Sequence, residues 1–114
     1  MAVFAHLAAR PAAGVFAFHC PNGGWCSPVE AAIFKSLGVR AGVPDVLAVK
    51  AGQLYGLELK APGGRLSEAQ RDTIAALEAA GAHVAVAAGL DSALAQLEAW
   101  GLLRGTSMGA HQRG

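Results

Sequence analysis

The sequence GVPDVLAVKAGQLYGLELK, from Gly42 to Lys60, decides how the rest of the chain folds. Two runs rich in branched and aromatic residues are separated by a short break at Ala51 and Gly52, a pattern typical of a β-hairpin. If these two residues form the turn, the residue numbers of every opposed pair add up to the same value. Asp45 then lies across from Glu58. The hairpin therefore gathers its carboxylates at its open end.

Like charges directly opposite each other destabilise a strand pair unless a cation neutralises them. Lys60 lies on the same face as Glu58, one pleat further along, and provides part of that neutralisation. A divalent metal ion would provide the rest, because two carboxylates and a backbone carbonyl leave positions open for water and a phosphate oxygen. The hairpin thus predicts a phosphodiesterase-type site in which Asp45, Glu58 and the carbonyl of Leu59 bind Mg²⁺ or Mn²⁺.

In a simpler interpretation, these residues have no catalytic or metal-binding role. Asp45 would be a polar residue at a strand start, and Glu58 with Lys60 would form a solvated stripe. Both faces of the hairpin are otherwise apolar, however, and removing an unpaired carboxylate from water is costly. The hypothesis of a metal site therefore accounts for the sequence better.

The segments around the hairpin predict a single α/β domain over residues 1–103. A short helix precedes Pro11, and a strand over 14–19 leads into a turn and a second helix. After the hairpin, a helix followed by a buried strand over 84–88 predicts a right-handed crossover and a parallel strand pair. We therefore expect a mixed sheet of about four strands flanked by helices, the last of which Asp91 caps.

Two of these helices begin with the same capping pattern. Ser27 stands three residues before Glu30, and Ser67 stands three residues before Gln70, which is the spacing of a capping box. Gln70 also belongs to the side of its helix that faces the sheet, near the strand end that carries Glu58. Capping alone explains Gln70, and the alternative is that its amide orients water or a phosphate oxygen.

Composition and charge narrow the class of protein. The 114 residues carry a net charge of +1, so any binding of nucleic acid depends on locally placed cations and metal. No apolar run approaches the ~18 residues of a membrane span, and the first residues lack the basic region of a secretory signal. We therefore expect a cytoplasmic protein with no membrane partner and with a disordered polar tail over residues 104–114.

His19, Cys20 and Cys26 are soft metal ligands that lie close together in the sequence. They lack a second, regularly spaced ligand pair, so the sequence does not predict a structural zinc site. In a cytoplasmic protein both cysteines are expected to be free thiols.

Several short stretches resemble a known family. Pro44-Asp45 followed by Glu58-Leu59-Lys60 matches the PD-(D/E)XK nuclease pattern. The wider context resembles the small phage and bacterial VRR-NUC domains in three stretches, Pro21-Asn22-Gly23-Gly24, Gly38 to Asp45, and Pro62 to Ser67 with Gln70. The resemblance covers roughly residues 14 to 100, which makes it more specific than the short motif alone.

This resemblance implies a restriction-endonuclease-like core and a metal-dependent nuclease. It assigns Asp45, Glu58, Lys60 and Gln70 to the active site. The small VRR-NUC proteins are associated with two-fold dimers that cut four-way junctions, so the resemblance implies a homodimer acting on branched DNA. The sequence itself leaves the choice between DNA and RNA open.

Four further side chains are candidates for contacts to nucleic acid. Arg65 stands beside two glycines just before a helix N-terminus, an arrangement suited to phosphate. Asn22 and Arg40 lie within two of the stretches that resemble the family, and Lys35 stands shortly before Gly38. For each of these residues an ordinary solvated surface position is the alternative.

One feature departs from the family pattern. Related nucleases often carry an additional acidic residue on a first helix, and here the segment ahead of the first strand holds no Asp or Glu. Three explanations are open: either the chain as given begins after that acidic residue, or Glu30 takes its role, or the site works with fewer acidic ligands. With an incomplete acidic set, the alternative function is a DNA-structure-binding or assembly module with weak or no catalysis. A nuclease for linear restriction sites is a third hypothesis, disfavoured by the lack of a recognition domain.

Overall fold

The computed structural model describes residues 2–19, 27–38 and 40–105. The elements, in chain order, are α1 (Ala2–Ala9), β1 (Val15–His19), α2 (Pro28–Ser36), β2 (Val46–Lys50), β3 (Gln53–Lys60), α3 (Glu68–Ala79), β4 (His83–Ala88) and α4 (Leu90–Ala99). The strands form one sheet in the order β1-β2-β3-β4. The first three strands are antiparallel and β3 pairs with β4 in parallel, which confirms the predicted mixed sheet flanked by helices.

The central hairpin has the predicted turn and register. Ala51 and Gly52 both have positive φ, 50° and 76°, as a two-residue type I′ turn requires. Leu47 pairs with Gly56, and Val46 pairs with Leu57. Because the same register continues past the end of β2, Asp45 and Glu58 lie across from each other as the sequence predicts.

One face of the sheet, which we call the core face, packs against α1 and α4. Val46, Ala48 and Leu57 of this face are buried, and they cluster with Val3, Leu7, Ala87, Ala93, Leu97, Leu102 and Leu103. Burial of each large aliphatic side chain contributes about 1.5 to 3 kcal/mol, so this cluster supplies most of the hydrophobic stabilisation. Asp45 and Glu58, at the open end of the hairpin, do not belong to this cluster.

The opposite face, which we call the site face, carries Glu58 and Gly56 and is partly covered by α3. The hydroxyl of Thr73 in α3 donates a hydrogen bond to the carbonyl of Ala41 at 2.7 Å. Gly42 has a φ of 82°, and a Cβ atom there would collide with the backbone of Ala69. The segment that leads into β2 is thus fastened to α3 through a close contact that only glycine allows.

The second helix differs from a packed helix in one respect. Its capping box forms as predicted, since Ser27 and Glu30 exchange side-chain and backbone hydrogen bonds of 3.0 and 3.1 Å. The apolar residues Val29 and Ile33 of α2 and Leu37 directly after it, spaced for one helical face, are 70%, 52% and 73% exposed. The described residues leave that apolar side largely uncovered.

The expectation that Asp91 caps the last helix is wrong. The structure begins α4 at Leu90, and the cap residue is Gly89, which makes no side-chain capping bond. Asp91 lies within the first turn, where its negative charge still favours the positive end of the helix dipole.

After α4 the chain returns to the first helix. Leu103 forms a β-bridge with Pro11, and the backbone amide of Arg104 donates to the carbonyl of Arg10. The Arg10 guanidinium also pairs with Glu98 at 2.7 Å. Residues 106–114, most of the expected tail, lie outside the described residues. In the described ranges, the structure contains no helix with the length and hydropathy of a membrane span.

Candidate active site

Asp45 and Glu58 meet on the site face at the open end of the hairpin. Glu58 is only 2% exposed, and its Oε2 atom is buried without a hydrogen-bond partner. The Oδ2 atom of Asp45 accepts a hydrogen bond of 2.9 Å from the backbone amide of Leu59. One carboxylate is therefore oriented by the backbone of β3, while the other keeps a buried oxygen unsatisfied.

The electrostatic state of Glu58 follows from this burial. Removal from water raises the pKa of Glu58 to about 8, and a hydrogen bond with Asp45 and the Asp45 charge act in the same direction. The Lys60 ammonium acts in the opposite direction and does not outweigh them. At neutral pH, without a metal ion, the pair of carboxyl groups thus holds one proton. If both groups were ionised, the two adjacent anions would require a cation.

The local sequence explains how this pair is held. Pro44 is fully buried, and its ring lies against Gly56 on the neighbouring strand. A Cβ atom at Gly56 would approach the Pro44 ring to 3.0 Å, which is tighter than ordinary packing allows. Together with the contact between Gly42 and α3, this packing fixes the approach of Asp45 to Glu58.

The donor set fits a divalent cation. Two carboxylates in contact, one with a buried unsatisfied oxygen, are hard ligands of the kind that Mg²⁺ and Mn²⁺ prefer. The amide of Leu59 is directed to Asp45, and in a strand the carbonyl of a residue lies on the same edge as its amide. Within the described ranges, no group of three His, Cys, Asp or Glu side chains forms, so Glu30 does not join the pair.

Lys60 borders the carboxylates. It is half-buried and follows Glu58 on the site face, and it lines a cleft of about 220 Å³ together with Ala2, Val3, Leu59, Gly89, Leu90 and Ala93. The first turn of α1 therefore lies beside Lys60 and presents only apolar residues there. This is where the sequence lacks an acidic residue, and Glu30 does not compensate because it is exposed and engaged in its capping box.

Gln70 performs the structural role that the sequence allows. Its Oε1 accepts a hydrogen bond of 2.8 Å from the backbone amide of Ser67, and the backbone amide of Gln70 donates to the Ser67 hydroxyl at 3.1 Å. In the equivalent capping box of α2, hydrogen bonds from Ser27 lower the pKa of Glu30. A role of Gln70 in catalysis would therefore use the side-chain NH₂ group.

The predicted phosphate contacts are accessible. Arg40, Arg65 and Lys35 are all exposed, which suits contact with substrate and equally suits a solvated surface. Asn22 lies outside the described residues, as do Cys20 and Cys26 of the disfavoured zinc site.

Sequence reasoning missed one residue at this site. The Nδ1 atom of His19 lies 2.8 Å from the carbonyl oxygen of Asp45. The signal that could have revealed it is positional, because His19 ends β1 and pairs with Val46, the residue after Asp45. A larger hollow of about 350 Å³ between α1 and β1 is lined by apolar residues alone and offers no such chemistry.

Comparison with known proteins agrees with this arrangement. The model of the VRR-NUC domain family matches residues 15–91, which is more than half of the chain. A solved structure described as "VRR_NUC domain protein" is similar, with a TM-score of 0.59 and 26% sequence identity. That match covers 73% of this chain and 64% of the other, so it spans somewhat less than two thirds of the other protein. No curated protein sequence matches. The chain has a restriction-endonuclease-like fold and belongs to the VRR-NUC family of nuclease domains.

Proposed function

We propose that this protein is a Mg²⁺- or Mn²⁺-dependent endonuclease that hydrolyses phosphodiester bonds in branched DNA. The observation that carries the proposal is the contact between Asp45 and the buried Glu58, whose Oε2 atom has no partner. A purely structural carboxylate pair is expected to satisfy its buried oxygens with donors from the protein. Here the unsatisfied oxygen belongs to a residue that interacts with the Lys60 ammonium, and Lys60 itself lines an open cleft.

The roles of the residues follow from their positions. Asp45 and Glu58 would hold the ion together with the carbonyl of Leu59, and the ion would supply Lewis acidity toward a phosphate oxygen and a bound water. Lys60 would orient the attacking water and offset negative charge that develops on the phosphorus-bound oxygens. Gln70 would contribute a hydrogen bond through its NH₂ group while it caps α3.

The substrate contact depends on local cations, because a net charge of +1 gives a weak overall electrostatic footprint. Arg40, Arg65 and Lys35, which are exposed, would contact phosphates of the substrate. A single domain of this size reaches a short length of duplex, so one copy should bind linear DNA weakly.

Two exposed apolar surfaces favour a two-fold dimer as the working unit. One is the side of α2 formed by Val29, Ile33 and Leu37. The other lies on the site face beside the carboxylates, where Phe16, Phe18 and Val49 of adjacent strands are exposed. Such surfaces commonly mark protein interfaces, and a second copy is the simplest partner that covers both by symmetry. Pairing would double the contact with DNA and present two metal sites to symmetric strands.

The main experiment uses four end-labelled substrates: a four-way junction, a flap, a linear duplex and a single strand. Each is incubated with the protein and Mg²⁺ or Mn²⁺, and products are resolved on denaturing gels. We expect metal-dependent cleavage of the junction in preference to the duplex, and no cleavage by the isosteric Glu58→Gln variant. Retention of full activity in Glu58→Gln would refute the assigned site, and equal cleavage of duplex and junction would refute the assigned substrate.

Light scattering tests the dimer separately. Wild-type protein at micromolar concentration should have the mass of two chains, and Ile33→Glu should shift it toward one. A wild-type monomer both alone and with the junction would overturn the dimer without affecting the assignment of the metal site.

A second candidate function is supported by one observation, the apolar first turn of α1 beside Lys60. With only two acidic side chains in contact, the domain would bind branched DNA without turning it over. Junction binding in a gel-shift assay together with no product in Mg²⁺ or Mn²⁺ would favour this DNA-structure-binding module.

A further inference from the structure

His19 makes a contact that the proposed chemistry does not use. Its Nδ1 atom lies 2.8 Å from the backbone carbonyl oxygen of Asp45. A carbonyl oxygen can only accept, so Nδ1 must be the protonated nitrogen of the ring. The imidazole ring is further oriented by Phe4 of α1, with ring centroids 6.0 Å apart and an interplanar angle of 71°. The hydrogen bond is thus made by an exposed side chain whose ring is oriented by its contact with Phe4.

The position of this bond gives it significance. Asp45 lies one residue outside β2, beyond the last paired residues of β1 and β2, His19 and Val46. The backbone at Asp45 is therefore no longer inside the described strand ladder. On the side of β3, the amide of Leu59 holds the Asp45 carboxylate at 2.9 Å. On the side of β1, His19 holds the Asp45 carbonyl, so that both bonds together fasten the residue across three strands.

We propose that His19 is a positioning residue that keeps Asp45 in the geometry needed to bind the metal ion with Glu58. The inference rests on the proposed function, and it adds a residue that touches neither the ion nor the DNA. Without the bond from His19, the peptide of Asp45 can rotate, and the carboxylate loses its fixed distance from Glu58. Hydrogen-bonding partners of metal ligands typically change metal affinity or activity by about 10- to 100-fold when they are removed.

Two variants separate the hydrogen bond from the packing of the ring. His19→Phe keeps an aromatic ring against Phe4 and removes the donor, whereas His19→Asn retains an N–H group close to the position of Nδ1. His83→Phe is the matched control, because His83 is another exposed strand histidine that bonds the side chain of Gln53, near the hairpin turn. Thermal unfolding of each variant verifies that the chain remains folded.

The measurements are Mn²⁺ titration by calorimetry, junction cleavage, and the ¹⁵N spectrum of the imidazole groups. We expect His19→Phe to weaken Mn²⁺ binding about tenfold and to lower kcat by a similar factor with little change in KM for DNA. His19→Asn should restore most of both quantities, and His83→Phe should change neither. The spectrum of the wild-type protein should show His19 protonated at Nδ1.

The possible failures are distinguishable. Wild-type affinity for Mn²⁺ and wild-type kcat in a folded His19→Phe, alongside loss of Mn²⁺ binding in Asp45→Asn, would overturn the role of His19 and leave the metal site intact. The same holds if the ¹⁵N spectrum shows His19 protonated at Nε2 alone. Absence of Mn²⁺ binding in the wild-type protein would overturn the proposed function and this inference with it.

Discussion

The two ends of the β2–β3 hairpin carry similar residue types and serve different purposes. At the turn, Lys50 donates a hydrogen bond of 2.8 Å to the carbonyl of Gly101, and Gln53 bonds His83 at 3.1 Å. At the open end, Glu58 is buried with an unsatisfied oxygen against another carboxylate. One end thus satisfies its polar groups within the fold, and the other leaves them available for a ligand.

The difference teaches where stability and function reside in this domain. A buried carboxyl group without a donor destabilises the folded state, and such a group is retained where a ligand uses it. Substitutions at the turn end should therefore change the free energy of unfolding. Substitutions at the open end should change cleavage and metal binding.

The largest expected effect separates the two hairpin lysines. Lys60→Met should lower junction cleavage by about 10²- to 10³-fold and leave Mn²⁺ binding in place, because the ammonium acts on water and phosphate and is no metal ligand. Lys50→Met, the matched control, should leave cleavage unchanged and cost about 1 kcal/mol of stability through loss of the bond to Gly101. Cleavage rates and calorimetric Mn²⁺ titration of both variants check this. Near-full activity of Lys60→Met would remove the lysine from the mechanism.

The next effect is the pH dependence of stability without metal. The pKa of Glu58 is about 8 in the folded chain and 4.5 for the free side chain. Below the pKa of the free side chain, Glu58 is protonated in both the folded and the unfolded state, and its contribution to the free energy of unfolding is fully present. Between the two values only the folded state holds the proton, so stability should fall as pH rises, by up to about 1.4 kcal/mol per pH unit.

Urea unfolding of the metal-free protein between pH 5 and pH 8 measures this slope. Glu58→Gln should remove the fall, and saturating Mn²⁺ should counteract it because the ion binds the ionised pair. Identical pH profiles for wild type and Glu58→Gln would contradict the raised pKa of Glu58.

A third comparison uses two glycines with positive φ. Gly42→Ala should cost about 2 to 4 kcal/mol, because the strained backbone is combined with a collision against Ala69 in α3. Gly52→Ala at the turn has the same strain and open space around it, and should cost about 1 kcal/mol. Denaturant midpoints of both variants give the difference. If both substitutions cost the same, α3 does not constrain the segment that carries Asp45.

The smallest effect concerns Gln70, which borders the open end. Gln70→Ala should lose about 0.5 to 1.5 kcal/mol through the capping box, as should Glu30→Ala in the equivalent position of α2. Gln70→Glu keeps the box and removes the NH₂ group, so a loss of cleavage in this variant would report a direct role. Glu30→Ala should cleave normally, and a folded but inactive Glu30→Ala would assign that residue to the site instead.

The capping boxes show how far local sequence reaches. Ser27 and Ser67 mark the starts of α2 and α3 correctly, because an N-cap depends on backbone groups within one helical turn. The fates of the two helices differ, since Thr73 of α3 is buried against the segment before β2 whereas Ile33 of α2 is exposed. Sequence patterns identify an apolar side, but they do not say what covers it.

The sequence by itself determined the hairpin, its register and the contact between Asp45 and Glu58, because a two-residue turn and the period of a strand fix which residues face each other. The family pattern followed from the same residues. Only the tertiary structure decided that Glu58 is buried, that Asp91 does not cap α4, and that His19 reaches Asp45. These features depend on packing between distant segments, and the free energy of that packing is set by neighbours that no local pattern specifies.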